Sequence, residues 1–319
     1  MRTQAFNTTL LFYPNKNPRL RLFALWYFTT LMIAWNIIGH AFLGFEQSWA
    51  TPVAAVATAV LVSMVLDWVD AWSRSRQPRF TGSVGNLLNF LPACLIPGFA
   101  CGMLLYANER LWPVIFAVVL SISSKLLFRA PVGNGHTQHV FNPSNFGVAA
   151  TLLLFPEVSF APPYHFTENI TGFWDWAVPM IILITGIIIH GLFTGRLPLV
   201  AAWIGGFILQ GIVRARLFGT PIFVPLMPMT SAAFIIFTLY MIPDPATTPL
   251  KPARQTSFGF SVAMVYGIIQ LLHLVFGLLF ALLVVCAIRG FFMHLRALWR
   301  AVLTWKQRHV EDDSTVAFS

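Results

Sequence analysis

The chain has 319 residues, of which 57% are hydrophobic and only 10% charged, and its mean hydropathy is +0.73. That is more apolar surface than a soluble domain of this length can bury, so the composition points to an integral membrane protein. The formal charge of +9 does not indicate nucleic-acid binding, because the basic residues cluster at the edges of apolar runs and in the C-terminal tail, where they face anionic lipid.

Apolar runs able to cross about 30 Å of hydrocarbon are read near 22–43, 52–72, 86–106, 111–128, 141–156, 173–193, 197–213, 222–242, 257–272 and 275–292. The stretch 258–292 is too long for one crossing and is divided near His273–Phe276. The expected fold is all-α, a polytopic membrane bundle of about ten transmembrane helices in two pseudosymmetric halves with broken helices. The parts are an N-terminal segment (1–21), a first half (22–156), an outer loop (157–172), a second half (173–292) and an amphipathic tail (293–319). The first apolar run is too long for a cleaved signal sequence.

Arg2, Lys16, Arg19 and Arg21 precede the first run, Arg74, Arg76 and Arg79 follow the second, Lys125 and Arg129 close the fourth, and Lys251 and Arg254 follow the eighth. The positive-inside rule places all of these, and both termini, in the cytoplasm of a bacterial inner-membrane protein. Glu157 and Glu168 then fall outside. Arg214 and Arg216 break the rule, which calls for snorkelling side chains or re-entrant seventh and eighth segments. In the tail, Leu295, Leu298, Trp299, Val302 and Leu303 recur at helical spacing beside Arg296, Arg300 and Lys306, so 293–309 reads as a helix lying on the cytoplasmic surface.

Cys94, Cys101 and Cys286 lie in apolar runs and form no CxxC, so they read as small core residues. His40, His190 and His273 lack the paired spacing that haem ligation needs, and no metal site is expected. Asp67 and Asp70 sit three apart on one helical face; they could relay protons or pair with Arg74 one turn on, and pairing is the expected state.

The backbone breaks carry the functional signal. Phe141-Asn142-Pro143-Ser144-Asn145-Phe146-Gly147 opens one apolar run, and Asp244-Pro245-Ala246-Thr247-Thr248-Pro249 closes another about a hundred residues later. Polar groups and broken helices at membrane depth are costly unless they line a protected cavity. Asn142, Asn145, Asn86, Asn89, Asp244, Thr247 and Thr248 would gather near one membrane face. Their amides pair an acceptor with a donor, as the edge of a flavin or quinone ring does. They would equally serve as caps that satisfy the freed backbone. Lys125 could stabilise negative charge on such a ring, or anchor its helix at the interface.

These motifs resemble the NqrB/RnfD family of membrane flavin subunits. Phe141–Gly147 continuing to Leu152-Leu153-Leu154-Phe155-Pro156 is similar to the family's FNPA segment. Ala233-Phe234 through Asp244–Pro249 resembles its second signature, with Pro243 in place of a threonine, and Lys125 after Ser124 matches a family lysine. The wording is most similar to the stand-alone UnbU-type branch. The resemblance implies a ten-helix bundle with a flavin, riboflavin or FMN, between broken helices, and a redox partner protein. The loop 157–172 lacks the Ser/Thr-Gly-Ala-Thr motif that carries covalent FMN in that family and offers only Thr167 and Thr171-Gly172, so the implied flavin is non-covalent.

The expected function is therefore membrane electron transfer on a bound flavin. Two alternatives stand beside it: a transporter of a small polar solute or cation through the same broken-helix cavity, and a scaffold recruiting soluble enzymes through the basic tail, 293–319.

Overall fold

A computed structural model of the chain describes residues 18–108, 110–133 and 136–316, so most of the N-terminal segment expected over 1–21 lies outside the described residues. The molecule is built from helices α1 (Pro18–Ala41), α2 (Ala50–Ser73), α3 (Val84–Leu104), α4 (Leu111–Leu127) and α5 (Pro143–Leu154). They are followed by α6 (Phe173–Ile188), α7 (Leu197–Phe218), α8 (Ala232–Ile236), α9 (Pro252–Leu271) and α10 (Gly277–Val316). Two small antiparallel pairs complete it: β1 (Leu105–Tyr106) with β4 (Ser159–Phe160), and β2 (Arg129–Gly133) with β3 (His136–His139).

Among the described residues, six helices are long and apolar enough to cross a membrane, and a seventh span results if the pair Val224–Thr230 and Ala232–Met241, bent by 73°, is counted as one. The chain is thus a multi-pass helical membrane protein. The expected fourth and fifth spans are the short helices Leu111–Leu127 and Pro143–Leu154.

Close helix contacts are made by small residues, as expected where lipid removes the hydrophobic drive for helices to associate. Gly98 and Gly102 of α3 lie against Ala59 and Ala55 of α2, and Gly206 of α7 lies against Ala263 of α9. Gly147 of α5 and Gly259 of α9 meet the carbonyls of Ala117 and Leu199, respectively. The main core packs α2, α3, α4, α5, α7, α9 and α10 together, with Trp203 and Phe207 wholly buried.

The chain reverses between α9 and α10 at His273 (φ 54°) and Phe276 (φ 58°), both left-handed. The boundary expected at 292/293 is not a break: α10 runs unbroken for 40 residues. At 1.5 Å per residue that is about 60 Å, roughly twice the hydrocarbon thickness. Residues 293–309 therefore continue the preceding span rather than forming a separate surface helix, because nothing between Arg289 and Leu295 stops the backbone hydrogen-bond ladder.

A candidate site at the basic end of the bundle

The two motifs meet. Asn142 caps α5, its Oδ1 accepting from the Asn145 amide at 3.1 Å and the Ser144 hydroxyl at 2.9 Å, while Pro143 occupies the first turn, where no N–H is needed. Its Nδ2 donates to the Met241 carbonyl at 2.9 Å, three residues before Asp244. Asn145 Nδ2 donates to Leu279 O of α10 at 3.1 Å, and its buried Oδ1 has no partner.

The approach to Asp244 is made of distorted helix. After α8 the chain takes a π-helical turn over Phe237–Met241, and after α6 another over Ile189–Thr194. Such turns leave carbonyls open. His190 bridges the two turns, its Nε2–H donating to Leu239 O at 2.5 Å and its Nδ1 accepting from the Thr194 hydroxyl at 2.8 Å. Gly195 (φ 62°) then ends the first turn in the left-handed region and delivers Arg196 to the head of α7.

Asp244 organises its own turn. Its carboxylate accepts from the Ala246 amide at 3.0 Å and the Thr247 hydroxyl at 3.1 Å, and its carbonyl from the Thr248 hydroxyl at 2.6 Å. Three further elements hold this turn. Arg196 Nη2 donates to Pro245 O at 3.2 Å, Arg289 Nη1 of α10 donates to Thr247 O at 2.6 Å, and Gln255 of α9 bonds Gly195 O and Leu250 O at 3.2 and 3.1 Å. With its amide turned so that the oxygen faces α10, Gln138 accepts from both terminal nitrogens of Arg289, at 2.9 and 2.6 Å.

Cations surround the turn. The Asp244 charge acts on Lys125, Arg196 and His139. Burial pushes the His139 imidazole below its ordinary range, only partly opposed by Asp244. Burial also pulls the Arg196 guanidinium down to about 10, against the pull of Asp244. Lys125 reaches across to α3, where its Nζ donates to Ala93 O at 2.5 Å.

The structure thus joins Asn142 and Asn145 to the turn of Asp244, Thr247 and Thr248, and sets Lys125 within its field. Asn86 and Asn89 belong to the first two turns of α3. Both are exposed; Asn86 closes the turn before α3 by donating to Thr81 O at 2.7 Å, and among the described residues neither is hydrogen-bonded to Asn142, Asn145 or Asp244. Arg196, Arg289, Gln255 and Gln138 were not among the expected site residues. The available signal was Arg196 itself, a lone charge in a two-residue link, Gly195-Arg196, between two apolar runs.

The paired carboxylates are structural. Asp70 bonds Arg74 at 2.8 Å, as expected, but Asp67 is buried under Arg76 and Arg79 at 2.8 and 2.7 Å and also accepts the Arg79 amide at 2.6 Å. No family model matches the chain, and no curated protein does.

Proposed function

We propose that this chain is an integral membrane electron-transfer protein that binds a flavin non-covalently at the basic end of the bundle, resembling the NqrB/RnfD family. One observation carries the reading: the Asn142–Met241 hydrogen bond joins, in one buried place, the two separated segments on which the resemblance rests. The reading includes an inner-membrane location with both termini cytoplasmic, supported by the Arg and Lys residues at this end. It also includes two related halves with the Asn142 and Asp244 segments as counterparts.

Groups with bonding capacity left over fit the ring. The pyrimidine edge of a flavin offers two carbonyl acceptors and one N–H donor; Asn145 has an unpartnered Oδ1 among the described residues, and Lys125, with one bond to Ala93 O, has N–H donors left for a ring carbonyl. Asn142, Thr247 and Thr248 serve instead as the frame, since their side chains are committed to the protein's own bonds. A bound flavin supplies reversible electron chemistry. Lys125, Arg196 and Arg289 favour negative charge beside the turn, and a partner protein delivers the electrons.

The test is the absorption spectrum of detergent-purified protein. Flavin bands bleached by dithionite support the reading; colourless protein that neither retains nor takes up flavin overturns it. The 73° break at Ser231 and the two π turns favour a second reading, transport of a small polar solute or cation, because discontinuous helices also build transport sites. Proteoliposome uptake that requires Asn142 and Asp244 without any chromophore would select it.

A further inference from the structure

We propose that Arg196 and Arg289 hold the phosphate group of an anionic ligand against the Asp244–Thr248 turn. Arg196 is 0% exposed, yet among the described residues only its Nη2 has a partner, while Nε and Nη1 have none. No carboxylate among the described residues lies within ion-pair distance of it. A buried guanidinium without a counter-ion is strongly unfavourable.

Neighbouring charges make the imbalance larger. Arg289 repels Arg196 and is itself repelled by Arg254, and the two arginines, Arg196 buried and Arg289 half-buried, converge on one turn, at Pro245 O and Thr247 O. Among the described residues Asp244 is the one acid acting on Arg196, and its two oxygens already accept from Ala246 and Thr247. Two guanidiniums facing a committed carboxylate match an oxyanion that carries more than one charge and several acceptor oxygens. A phosphate monoester has a charge of about −2 at neutral pH and fits better than a carboxylate. The same chemistry could come from a soluble phosphate compound or from a lipid headgroup. The inference holds whether or not a flavin ring occupies the site.

The experiment measures thermal unfolding of the full-length detergent-purified chain with inorganic phosphate, riboflavin 5′-phosphate and riboflavin, against chloride at matched ionic strength. A parallel arm compares nanodiscs of phosphatidylcholine with and without phosphatidic acid, whose headgroup is a phosphate monoester, with native mass spectrometry of retained ligands. Phosphate-bearing probes should raise the Tm and riboflavin should do so less. Arg196→Met should weaken the response at least about tenfold, Arg196→Lys should retain part of it, and the exposed Arg216→Ala on α7 should leave it unchanged. A response to phosphate in detergent assigns a soluble ligand, and a response only to phosphatidic acid assigns a lipid; each supports the site. Equal responses to phosphate and chloride with no retained phosphate species, or unchanged affinity in Arg196→Met, overturn it. Arg289→Lys supplies the same reading should Arg196→Met not fold. Colourless protein that still binds inorganic phosphate removes the flavin reading and keeps this one.

Discussion

Asn142 and Met241 stand 99 positions apart and are tied by a single buried hydrogen bond, Nδ2 to carbonyl, of 2.9 Å. The same Asn142 side chain caps α5, so one amide both starts a helix and fastens it to the turn that bears Asp244. The Asn142→Ala change removes the cap and leaves the Met241 carbonyl unpaired. Cap loss and a lost buried bond each cost about 1–2 kcal/mol, so a total of about 2–4 kcal/mol is expected. Thermal unfolding in detergent checks this, and a loss under about 0.5 kcal/mol contradicts the double role.

The carboxylates of α2 should separate by burial. Asp67 is 2% exposed and receives three hydrogen bonds from Arg76 and Arg79, whereas Asp70 pairs with the 72% exposed Arg74 side chain and, at 2.7 Å, with Arg76. Asp67→Asn should cost about 2 kcal/mol, because a buried acceptor of charge-assisted bonds loses its charge while Arg76 and Arg79 keep contact with solvent. Asp70→Asn should cost less than about 1 kcal/mol and lose its effect in high salt. Equal costs would show that the network acts as a surface feature.

What was legible in the sequence followed from local rules. Apolar runs located the helices, Pro143 after Asn142 gave the start of α5, and Pro243 and Pro245 gave the end of the segment after α8. Partners beyond one helical turn were not legible: Asp70–Arg74 obeys i,i+4 spacing, but Asp67 finds Arg76 and Arg79 nine and twelve residues on, through a turn. The burial of Arg196 is not legible either, because it depends on contacts with distant parts of the chain, such as the Pro245 carbonyl of the Asp244 turn. The unbroken α10 was missed for the opposite reason, since a change from apolar to amphipathic pattern alters a helix's surroundings without stopping it.

Acidification should loosen the 157–172 loop. His165 is buried, with its ring stacked on Phe45, and burial, with the nearby His40, depresses its imidazole to about 4. The folded value lies below the ordinary value of 6.5, so the stabilisation is complete above 6.5 and is lost as pH falls from 6.5 towards 4. The full loss is on the order of 3 kcal/mol, and roughly 2 kcal/mol is gone by pH 5. Hydrogen exchange of the loop at pH 7 and pH 5 should show reduced protection at pH 5, and His165→Leu should flatten the difference. A pH-independent wild-type loop would contradict the burial of a neutral ring.

The α4–α5 crossing depends on Gly147 having no side chain. A Cβ built there would collide with the Ala117 carbonyl, a backbone atom that cannot turn aside, and would lie 2.9 Å from Ser121 Cβ. On the far side of Gly147, Asn142 and Asn145 lock the start of α5 to Met241 and Leu279, so the helix cannot slide to make room. Gly147→Ala should therefore destabilise the protein by about 1–3 kcal/mol, the usual range for overpacking, although alanine favours helix in isolation. Gly205→Ala on α7 is the matched control, because a Cβ there meets nothing within 4 Å. It should be neutral or slightly stabilising. Thermal unfolding of the two variants separates backbone crowding from helix propensity, and a Gly147→Ala protein as stable as the control would mean that α4 and α5 are not held this close.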